Sequence, residues 1–186
     1  ETTQKGKSIR YSCPEEWIDF WEKSYGNQVC GRILESLEKR PPLYIRQNPT
    51  KVSGQELTDS LMGLDVKVNS ITSIEGAYAL EHSGSIANLT AFQQGWFHVQ
   101  DLSSQICCFL VEARPGERVI DVCAAPGGKT FTLAENMKNE GEVLSFDKYK
   151  GKVRLIQQGA ERLGLSIVKT GLRDASSPKE PLEKAD

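Results

Sequence analysis

The sequence predicts an α/β fold, namely the first half of a doubly wound parallel sheet, preceded by a small α+β module and a helical lead. After residue 117 the chain alternates strand, helix, strand, helix and strand, as parallel sheets with crossover helices do. Between residues 43 and 99 one helix is expected among several short strands, which is typical of a small α+β module. Before residue 40, large apolar residues recur every four positions, as on one helix face. The predicted segments are therefore 1–40, 41–100 and 101–186.

Composition limits the classes of protein to consider. Hydrophobic residues make up 38% and charged residues 26%, which argues against global disorder. The net charge is -2, so any binding of nucleic acid would depend on local basic patches. No apolar run is long enough for a membrane span. The five cysteines include no Cys-x-x-Cys pair, so reduced thiols in the cytoplasm are favoured over disulfides or a metal site.

The predicted elements of the first two segments follow from caps and spacing. Ser12–Glu15 resembles a capping box, and Ser53–Glu56 is a second one. Residues on the expected helix faces are Trp17, Trp21, Tyr25, Val29, Ile33, Leu37, Leu57, Leu61 and Leu64. The strands expected in the small module are Leu43–Arg46, Asp65–Val68, Ala77–Leu80 and Gly95–Val99.

The third segment opens with a helix and continues as the parallel sheet. The helix is expected to turn one apolar face inward, made of Leu102, Ile106, Phe109, Leu110 and Ala113. The expected strands are Arg118–Cys123, Glu142–Asp147 and Ser166–Thr170. The expected crossover helices are Lys129–Lys138 and Gly151–Leu163, the latter with Val153, Ile156, Ala160 and Leu163 inward.

A glycine-containing turn follows the first of these strands. Ligands of open α/β sheets bind at the carboxyl ends of the strands, where Asp121–Thr130 is expected. Gly127 and Gly128 allow the backbone to approach a ligand, and the next helix presents N–H donors. Asp147 ends the second strand, where a carboxylate accepts hydrogen bonds from ribose hydroxyls. Asp174, after the third strand, is placed to bind an adenine edge.

Each of these signals has a plainer interpretation. A Gly-Gly turn is often only geometry, and an aspartate at a strand end is often a helix cap. Together they favour a nucleotide-like ligand without identifying it. A phosphate-binding loop would need glycine where Cys123 stands, and a dinucleotide fingerprint needs three spaced glycines where only Gly127-Gly128 occur. Neither alternative fits.

The segment Asp121–Thr130 closely resembles the cofactor motif of the RNA 5-methylcytosine methyltransferases. Gly95–Gln105 is similar to the segment that precedes this motif in the family. Pro41–Lys51 is similar to the first strand of the family's small module, and Ser8–Trp17 to the entry into the catalytic region of its bacterial ribosomal RNA branch. The resemblance thus extends over nearly the whole chain.

The resemblance implies a Rossmann-like S-adenosylmethionine methyltransferase domain that modifies carbon 5 of a cytosine in small-subunit ribosomal RNA. In this family the motif wraps the methionine end of the cofactor, which here corresponds to Cys123, Ala124, Ala125, Pro126, Gly127, Gly128 and Lys129. Asp147 would hold the ribose, and Asp174 would contact the adenine.

The resemblance also implies that two catalytic cysteines act by covalent catalysis and lie beyond an Asp-x-Pro-Cys segment, which this chain does not contain. Cys107 and Cys108 are predicted to be buried, and Cys123 belongs to the cofactor motif. We therefore expect a fragment that lacks its catalytic residues and is inactive alone. The alternative is a non-catalytic RNA-binding or scaffold protein with a vestigial methyltransferase fold.

Two clusters of basic residues are candidates for RNA contact. The first is Lys39, Arg40, Arg46 and Lys51, and the second is Lys148, Lys150, Lys152 and Arg154. Such clusters are usually solvated faces. The resemblance implies that the small module contributes to RNA binding, with Arg46 and Asn48 at matching positions. Since no fourth strand is present, Val119–Val122 is expected to form an open edge that either self-associates or is covered by the segment after Asp174.

Overall fold

The computed structural model describes residues 3–39, 42–177 and 184–186. The chain forms two compact units, Glu1–Pro41 and Pro42–Asp186. Among the described residues, no helix has both the length and the apolar character that are needed to cross a membrane.

The first unit consists of helices α1 (Gln4–Tyr11) and α2 (Glu15–Leu37). Helix α1 has no counterpart among the predicted elements. The capping box predicted at Ser12–Glu15 is wrong, because Ser12 instead ends α1 in the left-handed conformation (φ 49°) and α2 begins without a side-chain cap. Gly26 (φ 79°) interrupts α2, which separates the two helical stretches that the spacing predicts. The buried core of this unit is small and consists of Cys13, Ile18, Cys30 and Leu34.

The second unit begins with a four-stranded antiparallel sheet in the order β2-β3-β1-β4. Its strands are β1 (Leu43–Gln47), β2 (Lys67–Ser70), β3 (Ala77–Glu81) and β4 (Phe97–Val99). All four are predicted, with bounds that differ by no more than a few residues. Helix α3 (Gly54–Met62) follows β1, and a short helix α4 (Thr90–Gln93), which is not predicted, precedes β4.

Helix α3 begins at the predicted capping box. The Glu56 N–H donates to Ser53 Oγ (3.2 Å), and the Ser53 N–H donates to the Glu56 carboxylate (3.0 Å). Such a cap contributes about 0.5–2 kcal/mol to helix stability. Leu57 and Leu61 of α3 are fully buried, whereas Leu64 is exposed because the helix has already ended. The other fully buried apolar residues in this core are Ile45 and Phe97.

Helix α5 (Leu102–Val111) follows the antiparallel sheet, and its buried face differs from the predicted one. Gln105 and Cys108 point inward, and the Gln105 amide donates to the carbonyl of Gln100 (3.0 Å). Most of the predicted face points outward: Ile106, Phe109 and Leu110 are 46%, 73% and 75% exposed.

The second sheet is parallel, with the order β5-β6-β7. Its elements are β5 (Arg118–Asp121), α6 (Gly128–Asn136), β6 (Glu142–Asp147), α7 (Lys150–Leu163) and β7 (Val168–Leu172). The predicted half of a doubly wound sheet is thus confirmed. Ile156, Ala160 and Leu163 of α7 are buried as expected, and Val153 is partly buried.

Strand β5 lies at the edge of this sheet and pairs as a strand only with β6 in the part of the chain that is described. The predicted open edge is therefore present. At its first residue, the Arg118 N–H donates to Asp186 Oδ2 (2.9 Å), and the Asp186 N–H donates to the Arg118 carbonyl (3.1 Å). Asp186 belongs to the segment after Asp174, so one residue of the predicted cover reaches this strand.

Asn48 joins the two sheets. Its side chain is fully buried, and Nδ2 donates to the carbonyls of Gly95 (3.1 Å) and Leu163 (2.9 Å), the last residue of α7. Its Oδ1 accepts from the N–H (3.1 Å) and the hydroxyl (2.6 Å) of Thr50. All four hydrogen-bonding capacities of this amide are used. Asn48 therefore holds the end of β1 against the C-terminus of α7.

Candidate cofactor site

The residues Cys123–Lys129, called the glycine turn below, connect β5 to α6. Gly127 directly precedes the helix with φ 114°, a conformation that favours glycine. A Cβ at Gly127 would overlap the ring of Phe131. A Cβ at Gly159 of α7 would overlap the same ring. Phe131 thus packs against both the turn and α7, and only glycine fits at either contact without displacing it.

Hydrogen bonds hold the glycine turn against both neighbouring strands. The Ala124 N–H donates to the Phe146 carbonyl (2.9 Å), which continues the pairing of β5 with β6 beyond the strand. Asp121 Oδ1 accepts from the Cys123 N–H (3.3 Å), and Asp121 Oδ2 accepts from the Thr130 hydroxyl (2.9 Å). Asp121 therefore fixes both the start of the turn and the first helical residues after it.

Asp147, the predicted ribose ligand, lies beside the glycine turn. Its side chain is buried, with the residue only 8% exposed. Its Oδ2 accepts from the Ala125 N–H (3.3 Å), and its Oδ1 accepts from the Tyr149 N–H (3.2 Å). Each carboxylate oxygen has a second lone pair, so Asp147 retains acceptor capacity while the two backbone groups fix its orientation. The structure thus places the Asp147 carboxylate, at the end of β6, in contact with the glycine turn.

Asp174, the predicted adenine contact, lies two residues beyond the end of β7 and is engaged elsewhere. Its Oδ2 pairs with Lys148 Nζ (2.8 Å), and its Oδ1 accepts from the N–H (3.0 Å) and the hydroxyl (2.7 Å) of Ser176. The hydrogen bonds from Lys148 and Ser176 lower the pKa of the Asp174 carboxyl to about 2. A ligand would have to share or displace these partners, so the adenine contact stays a prediction.

The five cysteines differ in accessibility. Cys108 is buried, and burial raises the pKa of its thiol to about 11, which disfavours the nucleophilic thiolate. Cys107 is exposed, so its predicted burial is wrong: α5 turns its Cys108 side inward. Cys123 is exposed on the glycine turn. Cys13 and Cys30 are buried in the first unit, and burial raises the pKa of Cys30.

Among the described residues, no group of three histidine, cysteine or acidic side chains is arranged to hold a metal ion. A cavity of about 730 Å³ lies away from the glycine turn, none of whose residues lines it. Its walls include Arg46, Glu75, Ile106, Phe109 and Asn136. The predicted cofactor residues Cys123–Lys129 therefore lie outside this cavity.

Two members of the first basic cluster serve to join the sheets. Arg46 donates to the Glu75 carbonyl (2.7 Å) and to Asn136 Oδ1 on α6 (3.2 Å), and only 14% of its side chain is exposed. Lys51 Nζ donates to the Arg162 carbonyl at the end of α7 (2.9 Å). With the buried Asn48, they fasten β1 and the loop after it to α6 and α7. The RNA-facing interpretation is therefore corrected for Asn48 and Arg46, because little or nothing of their side chains is exposed. For Lys51, which is exposed, contact with RNA stays a prediction.

The remaining basic residues are more accessible. Lys39 is exposed in the first unit, and Arg40 lies outside the described residues. In the second cluster Lys148 pairs with Asp174, and Lys152 lies over the Tyr149 ring, 5.4 Å from its centroid. The exposed residues of this second cluster are Lys148, Lys150, Lys152 and Arg154.

Sequence reasoning gave no role to a buried polar network on the inner side of α6. Thr132 Oγ1 donates to Gln100 Oε1 (2.7 Å) and lies 3.3 Å from His98 Nε2. His98 Nδ1 in turn lies 3.4 Å from Glu135 Oε1. All four residues are at most 5% exposed. The only sequence signal for His98 and Gln100 was the similarity of Gly95–Gln105 to a segment of the methyltransferase family. Thr132 and Glu135 on α6 had no such signal.

Two family models match the chain. The model described as "16S rRNA methyltransferase RsmB/F" matches residues 108–186, and "Methyltr_RsmF/B-like, ferredoxin-like domain" matches residues 13–87. A probable ribosomal RNA small subunit methyltransferase B from Bacillus subtilis is 36% identical over 172 residues, which cover 92% of this chain and 38% of the relative. The chain spans about two fifths of the length of such relatives.

Two proteins from Pyrococcus horikoshii extend these similarities. A tRNA (cytosine(72)-C(5))-methyltransferase is 36% identical over 102 residues, which cover 55% of this chain and 26% of that protein. The crystal structure of a methyltransferase homolog is 28% identical, with a TM-score of 0.81, and the match covers 94% of this chain and 57% of that one.

The fold, the glycine turn and these similarities define the class as Rossmann-like S-adenosylmethionine-dependent methyltransferases with an N-terminal ferredoxin-like module. Within that class, the chain belongs to the RsmB/F family of RNA methyltransferases.

Proposed function

We propose that the protein to which this chain belongs methylates carbon 5 of a cytosine in RNA, with S-adenosylmethionine as methyl donor. The observation that carries this proposal is the glycine turn with the Asp147 carboxylate bound to it, inside a segment that matches the RsmB/F model. The names of the bacterial relatives favour small-subunit ribosomal RNA as the substrate. The name of the Pyrococcus relative favours cytosine carbon 5.

We assign cofactor binding to the glycine turn, Asp147 and Asp174. The turn would surround the methionine end, because Gly127 allows close backbone approach and the start of α6 supplies N–H donors. Asp147 would accept hydrogen bonds from the ribose hydroxyls, since its carboxylate is oriented and keeps free lone pairs. Asp174 is assigned to the adenine by resemblance. When bound, S-adenosylmethionine supplies an electrophilic methyl group.

We assign no catalytic nucleophile among the five cysteines. Cys108 is buried with a raised pKa, Cys123 is part of the glycine turn, and Cys107 lies on the exposed face of α5. We therefore expect the 186-residue chain to transfer no labelled methyl group to unmodified ribosomal RNA. Transfer that is lost in Cys107→Ser would show that this thiol is catalytic.

We also propose a role for each of the three segments and a cellular location for the protein. Residues 1–40, 41–100 and 101–186 would act as helical lead, RNA-binding-like module and methyltransferase half. The exposed second basic cluster would contact RNA, because it lies beside the glycine turn and only Lys148 of its members is paired with an acid in the described structure. All five cysteines are free, which suits the reducing cytoplasm.

Calorimetry tests the cofactor assignment. We expect the full-length protein to bind S-adenosylmethionine, and Asp147→Ala to weaken binding by about 1–3 kcal/mol, because ligand hydroxyls lose their acceptor. Asp65→Asn is the matched control, since Asp65 is exposed and asparagine tolerates its positive φ of 58°.

Binding of ATP or NAD in preference to S-adenosylmethionine would contradict the proposal. RNA binding by the full-length protein without any binding of S-adenosylmethionine would instead favour a non-catalytic scaffold.

A further inference from the structure

Gln100 connects the antiparallel sheet to the first turns of α6. It lies in the connection between β4 and α5 and is only 5% exposed. Its backbone N–H donates to the Tyr44 carbonyl of β1 (3.1 Å). Its side-chain Oε1 accepts from the Thr132 hydroxyl (2.7 Å), and its Nε2 lies 3.8 Å from Cys108 Sγ, in a weak N–H···S hydrogen bond. Both ends of one amide are thus used inside the protein.

The two partners of Gln100 both contact carbonyls at the end of the glycine turn. Thr132 Oγ1 lies 3.1 Å from the Gly128 carbonyl, so its single hydrogen is shared between that carbonyl and Gln100 Oε1. Cys108 Sγ lies 3.7 Å from the Lys129 carbonyl. Because burial raises the pKa of Cys108 to about 11, its sulfur keeps the hydrogen that it donates. The Gln100 stem also packs on the turn, since a Cβ at Gly128 would lie 3.6 Å from Gln100 Cγ.

We propose that Gln100 is a positioning residue for the glycine turn and acts through Thr132 and Cys108. Peptide groups are planar, so a hydrogen bond that fixes a carbonyl also fixes the N–H of the next residue, which points the opposite way. The Gly128 and Lys129 carbonyls therefore set the directions of the N–H groups of Lys129 and Thr130. Those N–H groups belong to the first turn of α6, where no intrahelical acceptor exists.

The inference rests on the proposed function, which gives these N–H groups a cofactor to face. It adds that the orientation of these N–H groups depends on Gln100, whose side chain lies outside the parallel sheet. The other end of α6 is held separately, because Arg46 donates to Asn136 (3.2 Å) and lies near the buried Glu135 (3.8 Å). Loss of the Gln100 amide should therefore disturb the turn while the helix stays docked.

The Gln100→Met variant tests this role, because methionine has similar length and no comparable hydrogen bonds. In ¹H–¹⁵N spectra of the 186-residue chain we expect the amide signals of Lys129 and Thr130 to move. In calorimetry we expect the dissociation constant for S-adenosylmethionine to rise about five- to tenfold, the loss expected from a hydrogen bond of ordinary strength. Unmoved amide signals in a folded Gln100→Met chain would overturn the inference.

A pair of substitutions at Thr132 separates positioning from general stability. Thr132→Val removes the hydroxyl and should weaken binding like Gln100→Met, whereas Thr132→Ser keeps it and should bind within about twofold of the unchanged chain. Thr58→Val is the matched control: the Thr58 hydroxyl also bonds a carbonyl one turn back, that of Gln55 (2.9 Å), but on α3. Equal losses in Thr132→Ser and Thr132→Val would overturn the inference.

These measurements remain decisive under two complications. If Gln100→Met does not fold, the Thr132 pair decides. If the full-length protein binds no S-adenosylmethionine, the proposed function fails at this site, while the Lys129 and Thr130 amide signals of the 186-residue chain still test the positioning role in the free protein.

Discussion

The core beside the antiparallel sheet and the edge strand β5 of the parallel sheet differ in how completely they are covered. In the antiparallel sheet Ile45 and Phe97 are fully buried, and α3 adds Leu57 and Leu61. In the parallel sheet all four residues of β5 are only partly buried, and Phe109 and Leu110 on nearby α5 are mostly exposed.

The difference follows from connectivity. Antiparallel strands can pair through short turns, so a sheet of this kind completes its core within a short stretch of chain. A parallel strand depends on crossover neighbours, and the first strand of a doubly wound sheet normally has one on each side. Strand β5 has a neighbouring strand on one side only in the described structure. The core beside the antiparallel sheet and strand β5 should therefore respond unequally to the truncation of an apolar side chain.

The largest expected difference concerns core truncation. We expect Leu57→Ala to lower the free energy of unfolding by about 2–5 kcal/mol, because it opens a cavity in a filled core. Val119→Ala should cost less than about 1 kcal/mol, since that side chain is already partly hydrated. Urea denaturation measures both, and Leu64→Ala, at a 53% exposed site, is the control with little expected effect. A larger loss at Val119 than at Leu57 would invalidate the comparison.

The second prediction concerns the open edge. We expect the chain to associate at high concentration through β5, or to cover that strand with the segment after Asp174, because an uncovered apolar edge favours pairing. Light scattering over a range of concentrations measures association, and hydrogen exchange measures protection of the Val119–Val122 amides relative to Ile45. A chain that stays monomeric while those amides exchange fast would contradict this expectation.

The smallest expected effect concerns the ion pair at the end of β7. The Lys148 ammonium helps to hold the Asp174 pKa at about 2, so the pair stabilises the fold above the usual carboxyl range and loses this contribution as pH falls through about 2. In Lys148→Met we expect the Asp174 pKa to rise toward its ordinary value, as followed by NMR titration of the carboxyl carbon. Stability at neutral pH should hardly change, because the pair is exposed. An unshifted Asp174 in Lys148→Met, or an equal shift in the control Lys150→Met, would assign the lowered pKa to another cause.

Local rules predicted those elements whose signals are themselves local. The strand Glu142–Asp147 and the buried face of α7 follow from apolar periodicity, and the start of α3 follows from the Ser53–Glu56 capping box. The inward face of α5 was predicted wrongly, because the spacing of apolar residues gives no sign that Gln105 is buried and bonded to the Gln100 carbonyl. The spacing of apolar residues within a helix does not indicate which carbonyl outside that helix a buried polar side chain binds.

The candidate site shows the same division. The glycine turn and Asp147 were recognisable from order along the chain, since strand ends of a parallel sheet meet at one edge. Arg46 was predicted to face RNA, but its charge is used inside the protein, which depends on where α6 lies. Gln100 and Thr132 could not be found for the same reason, because their link spans 32 residues of sequence.

The Phe131 ring fills the space into which side chains at positions 127 and 159 would project. Gly127 and Gly159 both lie against it, and a Cβ at either would overlap the ring. A larger residue at 159 would therefore require a smaller one at 131, which in turn would leave space beside the glycine turn. Sequence change on α7 is thus coupled to the cofactor motif by steric exclusion alone. Homologous chains that carry a larger residue at 159 should accordingly carry a smaller one at 131.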